Sequence, residues 1–196
     1  MNKDVIVIGA SGHGKVIADI IKKCGDNIVG FLDDDLSKPG VMGRVCECTK
    51  YKDTYFVIAI GNNKTRKMIA EKYDINYYTA IHPTAVIADD VTIGEGSVVM
   101  ANAVINPSAR IGKHCIINTA AVIEHDCVIA DHVHVSPNAT LCGTVTVGES
   151  AHIGASAVVR NNLNIGSNVT IGAGAAVVKN IDKPGIYVGV PARELR

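Results

Sequence analysis

Residues 111–146 read IGKHCI INTAAV IEHDCV IADHVH VSPNAT LCGTVT, six hexads that align without a gap. An aliphatic residue opens each one: Ile111, Ile117, Ile123, Ile129, Val135 and Leu141. Stepping outward by six, the register runs down through Ile105, Val99, Ile93 and Ile87 to Ile81, and up through Val147, Ile153, Val159, Ile165 and Ile171 to Val177. All seventeen positions are aliphatic. Four residues after each comes a second, mostly small register, with Ala103, Ala109, Cys115, Ala121, Cys127, Ala139, Ala151 and Ala157 at its centre. One large and one small inward residue per hexad describe a narrow tube. Gly94, Gly112, Gly148, Gly154, Gly166 and Gly172, with Asn106 and Asn118, follow the aliphatic residue and are expected to turn the chain tightly. A helix repeats at 3.6 and an alternating strand at two; a coil of short parallel strands repeats at six.

The register resembles that of the hexapeptide-repeat acyltransferases. That resemblance implies a triangular, left-handed parallel β-helix with three hexads per turn, the handedness being an exception to the right-handed rule for parallel crossovers. Residues eighteen apart then lie about 4.8 Å above one another. On that ruler His114 stacks with His132, and His134 with His152.

Composition agrees. The chain has 196 residues, 47% of them hydrophobic and 19% charged, too apolar for disorder and ample for a core. Lys+Arg and Asp+Glu both count 19, so no net field draws it to nucleic acid or an anionic membrane. No apolar run approaches the ~20 residues of a membrane span, and Asp4 interrupts a signal-peptide pattern, so a soluble, cytoplasmic protein is expected. The six cysteines then read as reduced thiols, and Cys46-x-Cys48 as small residues of a surface segment. No aromatic residue falls between 79 and 186, as a tube too thin for large rings requires.

The first eighty residues alternate differently. Residues 4–9 read as a buried strand, 9–15 as a glycine loop, and 16–23 as a helix with Val16, Ile17, Ile20 and Ile21 inward. Strands at 28–32 and 55–60 and a helix at 65–73 complete a small parallel sheet of Rossmann type. Two nucleotide motifs fail narrowly. Gly9-x4-Gly14-Lys15 opens like a P-loop, but Val16 stands where Ser or Thr would hold magnesium. The glycine order also departs from the dinucleotide fingerprint. What survives is a helix start able to bind phosphate, with Asp33 a strand later able to accept from a hydroxyl.

Together, Gly9-Ala10-Ser11-Gly12-His13-Gly14-Lys15, Phe31-Leu32-Asp33-Asp34, Ala59-Ile60-Gly61-Asn62-Asn63, Glu124-His125-Asp126-Cys127 and Gly189-Val190-Pro191-Ala192-Arg193 resemble one bacterial family across essentially the whole chain. It comprises the nucleotide-sugar N-acetyltransferases acting on UDP-4-amino-4,6-dideoxy sugars in the bacillosamine pathway, with the sialic acid O-acetyltransferases as kin. The resemblance implies a nucleotide-sugar domain over 1–80, an acetyltransferase coil over 81–196, and a homotrimer binding acetyl-CoA between subunits. It places Ser11, Gly12, His13, Asp33, Asp34, Gly61 and Asn62 on the nucleotide sugar. It makes His125 the general base and Asp126 its orienting carboxylate, with Glu124 the alternative, and puts His134, Ala155 and Ala173 on the CoA side.

The chemistry is consistent with that assignment. An amine attacking a thioester must shed a proton, which an imidazole takes at neutral pH. Cys127 belongs to the small inward register, so direct transfer is expected in place of an acyl-enzyme. Competing readings are O-acetylation of a sialic acid or other sugar hydroxyl, a zinc-dependent carbonic-anhydrase-like enzyme, and a non-catalytic assembly module. The zinc enzymes of this fold use a third histidine four residues beyond the second, a pattern this chain lacks, and no metal is expected.

Overall fold

The computed structural model describes residues 2–195. The N-terminal part is a four-stranded parallel sheet of order β3-β2-β1-β4, with β1 at Asp4–Ile8, β2 at Asn27–Leu32, β3 at Val41–Gly43 and β4 at Tyr55–Ile58. Val5, Ile6, Val7 and Ile8 are wholly buried, as a central parallel strand covered on both faces must be. Val5 and Val7 meet Ile17, Ile20 and Ile21 of α1 (Gly12–Lys23); Ile6 and Ile8 meet Phe56, Ile58 and Ile69, the last on α2 (Asn63–Lys72).

Three details differ from the expectation. Helix α1 begins at Gly12, inside the expected glycine loop, because Gly14 lies so close to the Gly9 carbonyl that no Cβ fits between strand end and helix. Val16 is therefore 45% exposed, falling opposite the buried Gly14, Ile17, Ala18 and Ile21 stripe. The short β3 and the 3-10 turn Val45–Lys50 were not legible, and Cys48 in that turn is buried where a surface residue was expected.

From Ala80–Ile81 onward the chain coils. Three sheets of parallel coil strands form, and from Ala80–Ile81 to Val158–Val159 each strand pairs with the strand eighteen residues on, as Arg110 with Val128, Ile116 with His134 and Val122 with Thr140; beyond them the offset shortens to sixteen, Thr170 pairing with Ile186. The first face carries Val98–Val99, Ile116–Ile117, His134–Val135 and His152–Ile153; the second Val104–Ile105, Val122–Ile123, Thr140–Leu141 and Val158–Val159; the third Arg110–Ile111, Val128–Ile129 and Thr146–Val147. Both sequence registers enter one continuous core from Val99 to Ile181. The first coil is the exception, with Ile81 37% exposed and Ala85, Ile87, Val91 and Ile93 half-buried, because no coil lies beneath it. Ser97, the polar member of the small register, is satisfied: its hydroxyl donates to the Gly112 carbonyl at 2.8 Å and accepts from the Cys115 amide at 2.9 Å.

The glycines after the aliphatic residues do not supply the turns. The left-handed backbone falls two residues later: Gly96, His114, His132, Ser150 and Asn168 define a first edge, Asn102, Ala120, Asn138, Ser156 and Gly174 a second, and Ser108, Asp126, Thr144 and Asn162 a third. The glycines serve close approach instead, since a Cβ on Gly148 would lie 2.5 Å from the Ser167 amide in the next coil.

The two parts are joined along one side. Val98 and Ile116 point out of the first face yet are buried in one cluster with Ile17, Ile20 and Ile21 of α1. At the first edge Asn63 donates to the Ser150 and Ala151 carbonyls, Lys67 pairs with Glu149 at 2.8 Å, and Tyr77 packs edge-on to His114. No helix among the described residues is long and apolar enough to cross a membrane.

Candidate active site

Ser11, His13, Asp33, Asp34 and Gly61 line one cavity of about 700 Å³ at the carboxyl ends of the strands, where ligands of open parallel sheets sit. Gly12 is outside its lining. Ser11 caps α1 without using its side chain, and no acidic residue occupies the first helical turn, which leaves an anion-binding helix terminus. Asp33 is more committed than expected. Its Oδ2 accepts from the Ala10 amide at 2.8 Å and from Lys38 Nζ at 2.8 Å, and its Oδ1 from the Asp35 amide at 3.0 Å. Burial raises its pKa, but these hydrogen bonds outweigh burial and hold the carboxyl below its ordinary value. Asp34 fixes the far wall, accepting from the Val45 amide through its side chain and from Arg44 through its carbonyl.

Asn62 instead caps α2, accepting from the Thr65 amide at 2.9 Å, and lines a neighbouring cleft of about 460 Å³ with Gly61, His134 and His152. His134 thus meets the Gly61–Asn63 loop of its own chain. Its Nε2 lies 3.1 Å from Asn118 Nδ2, and its ring stacks on His152 at 4.7 Å. His114 and His132 stack at 5.3 Å, so both pairs follow the eighteen-residue ruler. Burial lowers the pKa of His13 to about 4 and that of His134 to about 3, keeping both neutral. Among the described residues no three His, Cys, Asp or Glu side chains gather in metal-binding proximity.

His125 and Asp126 stand exposed on the third edge. His125 Nδ1 lies 2.8 Å from Asp126 Oδ2, while Glu124 reaches only the His125 amide, at 3.4 Å. Asp126 has φ +60°, a left-handed conformation that Asp tolerates better than most residues. The imidazole lies over Gly143 of the next coil, where a Cβ would fall 2.6 Å from its Cε1 and Nε2. Cys127 is wholly buried, its thiol donating to the Cys142 carbonyl and pushed up by burial, so it points into the tube as expected. Ala155 and Ala173 stack on the second edge, joined by the Gly174 amide donating to the Ala155 carbonyl.

One chain therefore carries its candidate residues at separate places: the cavity beside the first edge, the alanines on the second, and His125 with Asp126 on the third. Sequence reading missed several members. Thr65, Met68, Ile69 and Lys72 line the cavity from α2, and their i, i+3, i+4, i+7 spacing is a helical signal for a shared face. Gly143 and Asn118 carried only the repeat. Arg66, on the same helix, is 1% exposed, with burial lowering its pKa to about 10.

The fold and these sites define a hexapeptide-repeat transferase with an α/β cap. Residues 4–73 match the PglD N-terminal domain and residues 108–143 the bacterial transferase hexapeptide model. The acetyltransferase domain of PglB from Neisseria gonorrhoeae FA1090 is similar at TM-score 0.93 and 37% identity, covering 99% of this chain and 100% of that one. PerB from Caulobacter crescentus, solved with CoA and GDP-perosamine, is similar at TM-score 0.93 and 34% identity over 98% and 97% of the two chains. UDP-N-acetylbacillosamine N-acetyltransferase of Bacillus subtilis is 43% identical over 111 residues, covering 50% of this chain and 51% of that protein. The aligned part spans about half the length of the curated sugar N-acetyltransferases it matches. The chain belongs to the PglD-type family of hexapeptide-repeat sugar N-acetyltransferases.

Proposed function

We propose that this protein transfers acetyl from acetyl-CoA to the 4-amino group of a UDP-4-amino-4,6-dideoxy sugar. The observation that carries the reading is the outward His125–Asp126 pair, 2.8 Å apart on an exposed edge. The family resemblance supports a nucleotide-linked amino sugar and acetyl-CoA, since neighbours have been solved with acetyl coenzyme A and with CoA and GDP-perosamine, and the Bacillus relative is named for a UDP-linked sugar. The cavity with its helix terminus suits the nucleotide diphosphate. The amine lone pair attacks the thioester carbonyl, His125 Nε2 takes the proton that leaves nitrogen, and Asp126 holds Nδ1–H and balances the imidazolium. Collapse of the tetrahedral intermediate expels the CoA thiolate, to which the imidazolium returns its proton. No acyl-enzyme is required.

A homotrimer supplies what one chain lacks. The outward column of the second face is mostly aliphatic, with Val86 63% and Val158 43% exposed and Val104, Val122 and the one polar member, Thr140, between them. Turning three such faces toward a common axis brings the second edge of one copy beside the third edge of the next. His125 and Asp126 then face a groove flanked by the neighbour's Ala155, Ala173 and His134. The test is incubation with acetyl-CoA and a panel of UDP-, GDP- and CMP-linked amino and hydroxy sugars, with products weighed by mass spectrometry. Acetylation of a UDP-linked amine is expected; a product acetylated only on a hydroxyl overturns the acceptor assignment.

A further inference from the structure

Arg66 uses every donor it has. Nε donates to the His114 carbonyl at 2.7 Å, and NH2 to the His132 carbonyl at 2.6 Å and Asn63 Oδ1 at 2.8 Å. NH1 donates to the Ile60 carbonyl at 3.0 Å and the Gly61 carbonyl at 3.3 Å. These are all five N–H groups of a guanidinium, and all five acceptors are neutral oxygens. Two belong to successive rungs of the coil's first edge. Two others belong to the loop whose Ile60 and Gly61 line the nucleotide-side cavity.

We propose that Arg66 is a positioning residue for the nucleotide sugar, tying one wall of the cavity to the rigid coil through the Ile60 and Gly61 carbonyls. This rests on the function proposed above. The planar fork is essential to it: a lysine ammonium is a single point with three donors and cannot reach acceptors on both sides of the joint. With the fork gone, the two loop carbonyls lose partners and the loop must shift to find others. Displacing a substrate-positioning wall by an ångström costs up to about a hundredfold. Of the residues placed on the CoA side, Ala155 and Ala173 lie on the second edge, away from the carbonyls Arg66 clasps, and only His134 shares a cleft with its loop.

The test compares Arg66→Lys, Asn63→Ala, which removes one acceptor and two coil contacts of the same loop, and Lys67→Ala, which breaks only the outer pairs with Glu149 and Glu71. Steady-state kinetics are read for both substrates, and amide exchange for residues 60–63 against 116–135 in the absence of ligand. Arg66→Lys is expected to raise KM for the nucleotide sugar about 10- to 100-fold, with KM for acetyl-CoA and kcat within about threefold. Exchange should accelerate at 60–63 only. Asn63→Ala should move the same parameters less, and it carries the test if Arg66→Lys does not fold; Lys67→Ala should move neither. Equal losses in both substrates' KM and in kcat, or exchange at 60–63 unchanged in both loop variants, overturns the proposal. If the wild type acetylates no nucleotide sugar, the functional reading fails, and the exchange measurement decides the tether by itself.

Discussion

At the third edge, three neighbouring residues do different things to one imidazole. His125 carries the ring proposed as the base, Asp126 lies 2.8 Å from its Nδ1, and Gly143, lacking a Cβ, leaves room for it. Replacing His125 with Ala is expected to lower kcat by about 10²–10⁴ with the melting temperature unchanged. Asp126→Asn keeps a residue type that tolerates φ +60° and removes only the charge, so it should cost activity without unfolding. Gly143→Ala makes the sharper distinction. Its methyl would enter the ring's place, and kcat should fall at least tenfold although no acid or base has been removed, a result that steady-state kinetics and a circular dichroism melt together would establish. Thr144, next in line, is β-branched yet held at φ +63°, a conformation costing roughly 1–2 kcal/mol. Thr144→Asn should therefore stabilise the fold by a few tenths to about 1 kcal/mol in a denaturant titration.

Within the coil, the spacing of rungs is enforced by what is missing from glycine. Gly148→Ala places a carbon 2.5 Å from the next coil's backbone and should destabilise by about 1–3 kcal/mol, read from the urea midpoint at constant m-value. This element was the most legible in the sequence, because its inward aliphatic position recurs without a gap from Ile81 to Val177 at a period that neither a helix nor an alternating strand has. The role of the glycines was misread for the same reason: composition shows where glycine recurs but not whether φ or close approach requires it. The α/β half was legible as strand and helix alternation, but β3 and the turn at Val45–Lys50 have too few residues to show a period. The candidate site was legible chiefly where short motifs concentrate, at residues 9–15, 31–34, 59–63 and 124–127. Arg66 was not, since an arginine among Lys64, Thr65 and Lys67 has the pattern of an exposed helix face, and its burial depends on a coil that begins fourteen residues later.

For the whole molecule, the joint between the two halves is a concentration of uncharged imidazoles. His13, His114, His132, His134 and His152 all have their pKa lowered, in each case chiefly by burial, with Arg66 adding repulsion. The folded protein keeps them neutral, whereas the unfolded chain begins to bind protons near pH 6.5. Stability from this source is complete above that pH and falls as pH drops toward 4, so melting temperatures should decline through that window. A flat profile between pH 7 and 4.5 would contradict the neutral cluster. Assembly makes a second demand. Val104→Glu with Val122→Glu puts two carboxylates on the second face, and light scattering is expected to report a trimer for the wild type, as proposed above, and a monomer for the variant. Activity should vanish with it, because His125 loses the groove across which the second substrate is offered.

The eighteen-residue ladder also has a consequence for how such a molecule changes over time. Each rung repeats the geometry of the one below, so a whole turn could be duplicated or deleted while every neighbour still finds an equivalent bed. Such an event lengthens or shortens the column by one sheet spacing, about 4.8 Å, and leaves all angles around its axis intact. Distances along the column are thereby quantised, and an ancestor could refit its reach to a longer or shorter acyl donor in single discrete steps.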